Sequence, residues 1–154
     1  MPADRVREYL QSQGVQHEIT EHPQAYTAQE LAAAEHVPGR QVAKSVMLIA
    51  DDRLVMAVLP APKHVSLAKA KDALGSDQVR LAKENEFDDA FPDCEVGAEP
   101  PFGNLYDVPV YLDESLNSDQ IVFSAGNYTE AIRVSVDDYL NLVEPTKVDV
   151  AAGE

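Results

Sequence analysis

The 154-residue sequence predicts an α+β domain, a mixed and mostly antiparallel sheet with helices packed around it. Three observations carry this. Residues 42–50 (VAKSVMLIA) and 53–59 (RLVMAVL) are apolar, β-branched runs joined by Asp51-Asp52, the pattern of a hairpin. Three further strand-like runs crowd the second half, at 108–112, 121–125 and 131–134. Short helical stretches with recognisable caps lie among them.

The first helix spans 5–13, with Val6, Tyr9 and Leu10 on one face and Gly14 as its C-terminal cap. Residues 15–19 alternate as a strand. Thr27-Ala-Gln-Glu30 is a capping box that opens a helix over 28–35, and Pro38-Gly39 stops it. The hairpin follows. Its two strands are apolar at nearly every position, which predicts burial on both faces in mid-sheet. Ser66 caps a helix running to Leu74, closed by Gly75. A short strand at 78–81 and a helical turn at 85–91, stopped by Pro92, precede the three late strands. Ser135 caps a last helix whose first turn carries Asp137 and Asp138, where the helix dipole favours acids.

The chain length fits one domain, placed at 1–146, with 147–154 expected as a frayed tail. There is no run of about 18 apolar residues and no apolar signal-peptide core at the start, so the expected location is the cytoplasm. A single cysteine, Cys94, rules out an internal disulfide.

The net charge of −15 argues against general nucleic-acid binding, which wants a basic surface. The charge is polarised, however. Residues 37–71 hold six basic residues (Arg40, Lys44, Arg53, Lys63, Lys69, Lys71) against Asp51 and Asp52, a net of +4. Residues 84–120 hold eleven acids and no lysine or arginine. Any contact with a nucleic acid is thereby confined to one end of it, through the basic segment; otherwise the acidity is a solvated surface that keeps the chain soluble.

Three features could carry chemistry. Lys44 interrupts an apolar strand, where it either snorkels at an edge or faces a cleft and holds an anion, a phosphate being the natural one. Residues 97–103 (GAEPPFG) form a rigid proline-glycine loop, either a plain turn or a wall that fixes backbone groups toward a ligand. Residues 124–128 (SAGNY) break two strands, and Gly126 either admits a ligand close to the backbone or simply turns the chain. No GxxxxGK[ST] loop, GxSxG elbow or HExxH pair is present. Asp93 and Glu95 beside Cys94 discourage a thiolate there.

Taken together and in order, the pieces HEITEHPQAYTAQELA, GRQVAKSVML, LVMAVLPAPKHVSLAKAKDALG, CEVGAEPPFG, VPVYLDESL and VFSAGNYTEAIRV resemble the YbaK/EbsC family. This is the superfamily of the editing domain inserted in bacterial prolyl-tRNA synthetases and of its free-standing relatives. The resemblance spans about residues 6–142 and implies a curved, mostly antiparallel sheet surrounded by helices.

It also implies an aminoacyl-tRNA deacylase acting in trans, which removes a small amino acid (alanine, cysteine, serine or threonine) from a mischarged tRNA, with proline tRNA as the carrier. The implied mechanism is assisted by a ribose hydroxyl of the substrate and takes no metal and no cofactor. By the same resemblance Lys44 holds the terminal phosphate of the acceptor end, and Gly97 and Pro101, with Ala98 between them, belong to the G-x-x-x-P element that positions substrate and water. Ser45, Gly126 and Asn127 border the pocket, and Thr20 and His22 fall in the stretch that lines the amino-acid pocket. The implied partners are the tRNA acceptor end and a prolyl-tRNA synthetase, with no membrane and no DNA. Where some relatives have an acid after the second glycine loop and an aromatic before the Glu-His pair, this chain has Ala131 and Thr20. The alternatives are a non-catalytic module of the same fold that binds a tRNA end or a synthetase, and a hydrolase of some other small ester.

Overall fold

Helices are interspersed among runs of strands along the chain, in a computed structural model that describes residues 4–152 and their side chains from residue 5. In order they are α1 (Asp4–Ser12), β1 (Glu18–Glu21), α2 (Ala28–Glu35), β2 (Ala43–Ala50), β3 (Arg53–Pro60), β4 (His64–Val65), α3 (Leu67–Leu74), β5 (Val79–Leu81), α4 (Glu84–Phe87), β6 (Val110–Asp113), β7 (Gln120–Ser124), β8 (Glu130–Ser135), α5 (Val136–Val143), β9 (Thr146–Val148) and β10 (Ala151–Ala152). Single 3-10 turns lie at Gly39–Gln41, Asp88–Ala90 and Gly103–Leu105.

The hairpin organises the fold. β2 and β3 pair antiparallel from Ala43↔Pro60 to Ala50↔Arg53. Asp51 and Asp52 both have positive φ, 48° and 69°, which a two-residue turn needs to match the strand twist. The Asp51 carboxylate also accepts the Asp77 and Gln78 amides, fixing the turn to the start of β5. Both strands lie inside the five-stranded sheet, whose order is β5-β2-β3-β6-β9. Successive β3 side chains enter different cores. Met56 and Val58 face the main core, while Val55 and Ala57 face a smaller one under α3 with Leu48, Ala70 and Val150. That alternation explains why the run is apolar at every position after Arg53.

A second, antiparallel sheet has the order β1-β8-β7. A parallel bridge between Val42 and Val122 joins it to the start of β2, so the two sheets meet at one corner. α2 covers this corner with Leu31 and Ala32, packed on Val42, Ala61, Val122 and Ala131. The Thr27 capping box forms as expected, while α2 ends at His36 in the left-handed conformation, just before Pro38. Ser66 and Ser135 cap α3 and α5 through the Lys69 and Asp138 amides.

The strands are mixed and mostly antiparallel, as expected; the pairs β3–β6 and β6–β9 are parallel, because the segments between them cross over the sheet and return in the same direction. One feature differs from expectation. The segment expected to fray from 147 onward is ordered through 152. Thr146–Val148 extends the large sheet, and Ala151–Ala152 pairs with β4. The buried Asp113 carboxylate holds it there, accepting the Val150 and Ala151 amides at 2.8 and 2.9 Å. Residues 153–154 lie outside the described range. Among the described residues no helix is long and apolar enough to cross a membrane.

Candidate active site at the sheet corner

The corner between the two sheets encloses a cavity of about 120 Å³. Val42, Lys44 and Ser45 reach it from β2, Gly97 and Glu99 from the proline-glycine loop, and Ser124 from the end of β7. Among the described residues, four larger hollows, including one of about 520 Å³ beside Arg133, contain none of the candidate catalytic or substrate-binding residues named from the sequence. Lys44 and the proline-glycine loop, 53 residues apart from Lys44 to Gly97, therefore wall the same space.

Lys44 is half-buried on β2 opposite Leu59. Its ammonium donates to the Ala61 carbonyl at 3.0 Å, which leaves two of its three N–H groups for another acceptor. Burial draws its pKa below the ordinary lysine value, so an anion placed here would favour the charged form. Next to it, the Ser45 hydroxyl is buried without a hydrogen-bond partner, a costly state that a polar ligand relieves.

Gly97 sits at φ +88°, in the left-handed region that favours glycine. The loop it opens is clamped from behind. Pro100 and Pro101 are buried, and the Pro101 carbonyl accepts the hydroxyl of buried Tyr139 at 2.7 Å. The second glycine loop is tied to the first. The Glu95 amide donates to the Gly126 carbonyl at 2.8 Å, the Glu95 carboxylate accepts the Tyr128 amide, and the Tyr128 hydroxyl donates to the Val96 carbonyl.

The remaining sequence candidates do not line the cavity. Ala98 is buried in its own turn, its amide donating to Glu95. Gly126 is buried at φ +105° beside Ser124. The Asn127 carbonyl oxygen accepts the Thr129 and Glu130 amides, so this side chain shapes the loop. Thr20 is exposed, and its hydroxyl donates to Glu35. His22 Nδ1 lies 2.7 Å from the Pro23 carbonyl, and its Nε2 is buried without a partner.

Glu99 is the residue that sequence reasoning passed over. It is 7% exposed, and its carboxylate accepts the Gly97 amide at 3.1 Å. Burial pushes its pKa up; hydrogen bonds from its own backbone and from Gly97 oppose this, and the negative charge of Glu84 adds to it. Its one sequence signal is an acid set between two structure-breaking residues of a rigid loop, which is faint in a chain with 27 acids. Cys94 points the other way. Burial pushes its thiol up to about 12, which makes it a poor nucleophile at neutral pH.

The mixed α/β domain thus places an ammonium and a carboxylate on opposing segments of one small cavity. The chain belongs to the YbaK-type aminoacyl-tRNA editing domain family, whose model matches residues 22–142. It is 34% identical over 107 residues to a proline–tRNA ligase of Lactiplantibacillus plantarum, a match covering 70% of this chain and 18% of that protein. It is 29% identical over 97 residues to the multifunctional Ser/Thr-tRNA deacylase ProXp-y of Escherichia coli K12, covering 62% of this chain and 58% of that protein. The chain thus spans about a fifth of the length of the proline–tRNA ligases it matches. Among solved structures, a candidate trans-editing enzyme for prolyl tRNA synthetase superposes with a TM-score of 0.85 at 24% identity, covering 99% of this chain and 98% of that one. A hypothetical protein superposes with a TM-score of 0.87 at 20% identity, covering 97% and 100%. At these identities the superpositions establish the fold.

Proposed function

We propose that the chain is an aminoacyl-tRNA deacylase acting in trans, which hydrolyses the ester of a tRNA carrying a wrong, small amino acid. The observation that carries this reading is the convergence of Lys44 and Gly97 on one small cavity in a chain of the editing-domain family.

In this reading Lys44 receives the phosphate of the terminal nucleotide. Two N–H groups of its ammonium are uncommitted, and the anion would offset the cost of its partial burial. The aminoacyl group enters the cavity, whose volume of about 120 Å³ favours a small side chain over a large one. The rigid loop from Gly97 to Pro101 supplies backbone groups that orient the ester and one water, and Tyr139 holds that loop from behind. Water adds to the ester carbonyl, the carbonyl oxygen takes up negative charge, and the ribose oxygen leaves as a hydroxyl with the proton of the water. An aminoacyl ester is already activated, so orientation and donors near the developing oxyanion suffice. The adjacent ribose hydroxyl assists proton movement, and no step passes through a metal. The kinship with proline–tRNA ligases favours proline tRNA as the carrier and a prolyl-tRNA synthetase as a partner, and the kinship with ProXp-y favours serine or threonine as the amino acid.

The test is a deacylation panel of tRNAs mischarged with alanine, cysteine, serine and threonine. Release of one of these by the wild type, lost in Lys44→Ala, supports the reading. An intact panel rejects it, and tight binding without turnover would favour a non-catalytic module.

A further inference from the structure

We propose that Glu99 is a specificity residue that receives the α-ammonium group of the bound aminoacyl ester. The inference rests on the deacylase reading for its substrate and on the structure for its geometry.

Among the described residues Glu99 is the one carboxylate that lines the cavity. It is nearly inaccessible, and the Gly97 amide fixes one of its oxygens at the cavity wall. A carboxylate accepts about four hydrogen bonds, so with its own backbone amide and that of Gly97 bound, about half of its capacity is left for a ligand. Among the described residues no Lys, Arg or His nitrogen lies within 4.0 Å of it. A buried carboxylate without a cation is costly unless it takes up a proton or a cation arrives from outside, and a cationic ligand relieves that cost.

The obvious internal partner is not used. Lys44 borders the same cavity, yet its ammonium is bonded to the Ala61 carbonyl. One small space therefore presents a cationic wall and an anionic wall that do not neutralise each other. The end of an aminoacyl-tRNA has the matching polarity, with a phosphate on one side of the ester and an α-ammonium on the other. Burial and Glu84 raise the affinity of the Glu99 carboxyl for a positive partner, a proton or an ammonium.

Recognition of the free amine would distinguish aminoacyl esters from peptidyl or N-acylated ones, whose nitrogen is uncharged. It also explains why an acid stands in a loop that otherwise contributes backbone groups.

The test uses two probes, a stable 3′-alanylamido-3′-deoxyadenosine 5′-phosphate and its N-acetyl form, titrated calorimetrically into wild type and Glu99→Gln. Glutamine keeps the size and an acceptor for the Gly97 amide while removing the charge. We expect the wild type to bind the free amine roughly 10- to 100-fold more tightly than the acetylated form, and Glu99→Gln to bind both within about threefold. Turnover of an alanyl-tRNA should then show the same loss in KM, with kcat within about threefold. Equal wild-type binding of both forms overturns the inference, as does binding of neither. A Glu99→Gln defect confined to the kcat of alanyl-tRNA, with KM unchanged, also overturns it, because it would mark a role in activating water. Amine-dependent binding without any turnover would keep Glu99 as the ammonium receptor and reject the deacylase reading alone.

Discussion

The hydroxyl of Tyr139 donates to the carbonyl of Pro101 at 2.7 Å, both residues being buried. This one bond fastens the loop that walls the cavity to the last helix. Tyr139 also meets Phe102 edge to face, with ring centroids 5.3 Å apart, so phenylalanine would keep the packing and lose the donor. Tyr139→Phe should therefore cost about 1–2 kcal/mol, the loss of one buried bond with an acceptor left unsatisfied. Urea denaturation measures this, and deacylation should fall with it if the loop position matters to the site.

Gly103 tests the other end of the same loop. A Cβ there would lie 2.5 Å from the Val108 carbonyl oxygen and 2.8 Å from Val110 Cγ2. The first contact is with backbone and cannot be relieved by a rotamer change. Gly103→Ala should destabilise by about 1–3 kcal/mol, the usual cost of overpacking. A thermal melt no lower than that of the wild type would contradict the close approach.

Asp113 gives a pH-dependent prediction. Burial pushes its pKa up, but the Ser115 hydroxyl and the amides of Val150, Ser115 and Ala151 outweigh it, and the pKa ends below the ordinary value. A carboxyl with a depressed folded pKa stabilises above its unfolded pKa, about 3.9, and loses that contribution as pH falls through the folded value. Asp113→Asn should lower the urea midpoint at pH 7, and its gap from wild type should narrow below about pH 4. The same variant should loosen residues 146–152, read as faster amide exchange at Val150 and Ala151.

Cys94 should be inert. With its thiol held near 12 by burial and 3.4 Å from the Tyr106 hydroxyl, it should react with a maleimide at pH 8 far more slowly than a free thiol. Cys94→Ala should retain full deacylation; a loss of activity without a loss of stability would point to a nucleophile there.

Much of the fold was legible in the sequence because local rules and tertiary packing agree. The Asp51-Asp52 turn, the Thr27 capping box and the Ser66 and Ser135 caps are short-range devices, and each forms. What was not legible depends on distant partners. The strands at 146–148 and 151–152 carry little pattern of their own and are set by Asp113, 37 residues before Val150. The parallel pairing of β6 likewise follows from the crossover and not from the composition of 110–113.

The site divides in the same way. Lys44 stood out because an ammonium breaks an apolar strand, and Gly97 because a proline-glycine loop is rare. Glu99 did not, since its meaning comes from burial without a cation, a property that no spacing encodes. Asn127 and Pro101 drew notice for their residue types, yet their polar groups are engaged with the protein itself.

The most direct test of the central claim is the rate at which purified protein releases alanine or serine from mischarged proline tRNA, compared between wild type and Lys44→Ala with matched stability. Removing a buried charge that meets the phosphate only in the bound state should slow release by about 100-fold or more, the equivalent of about 3 kcal/mol. Release at the wild-type rate by Lys44→Ala would show that the cavity between this lysine and the proline-glycine loop is not where the ester is cut.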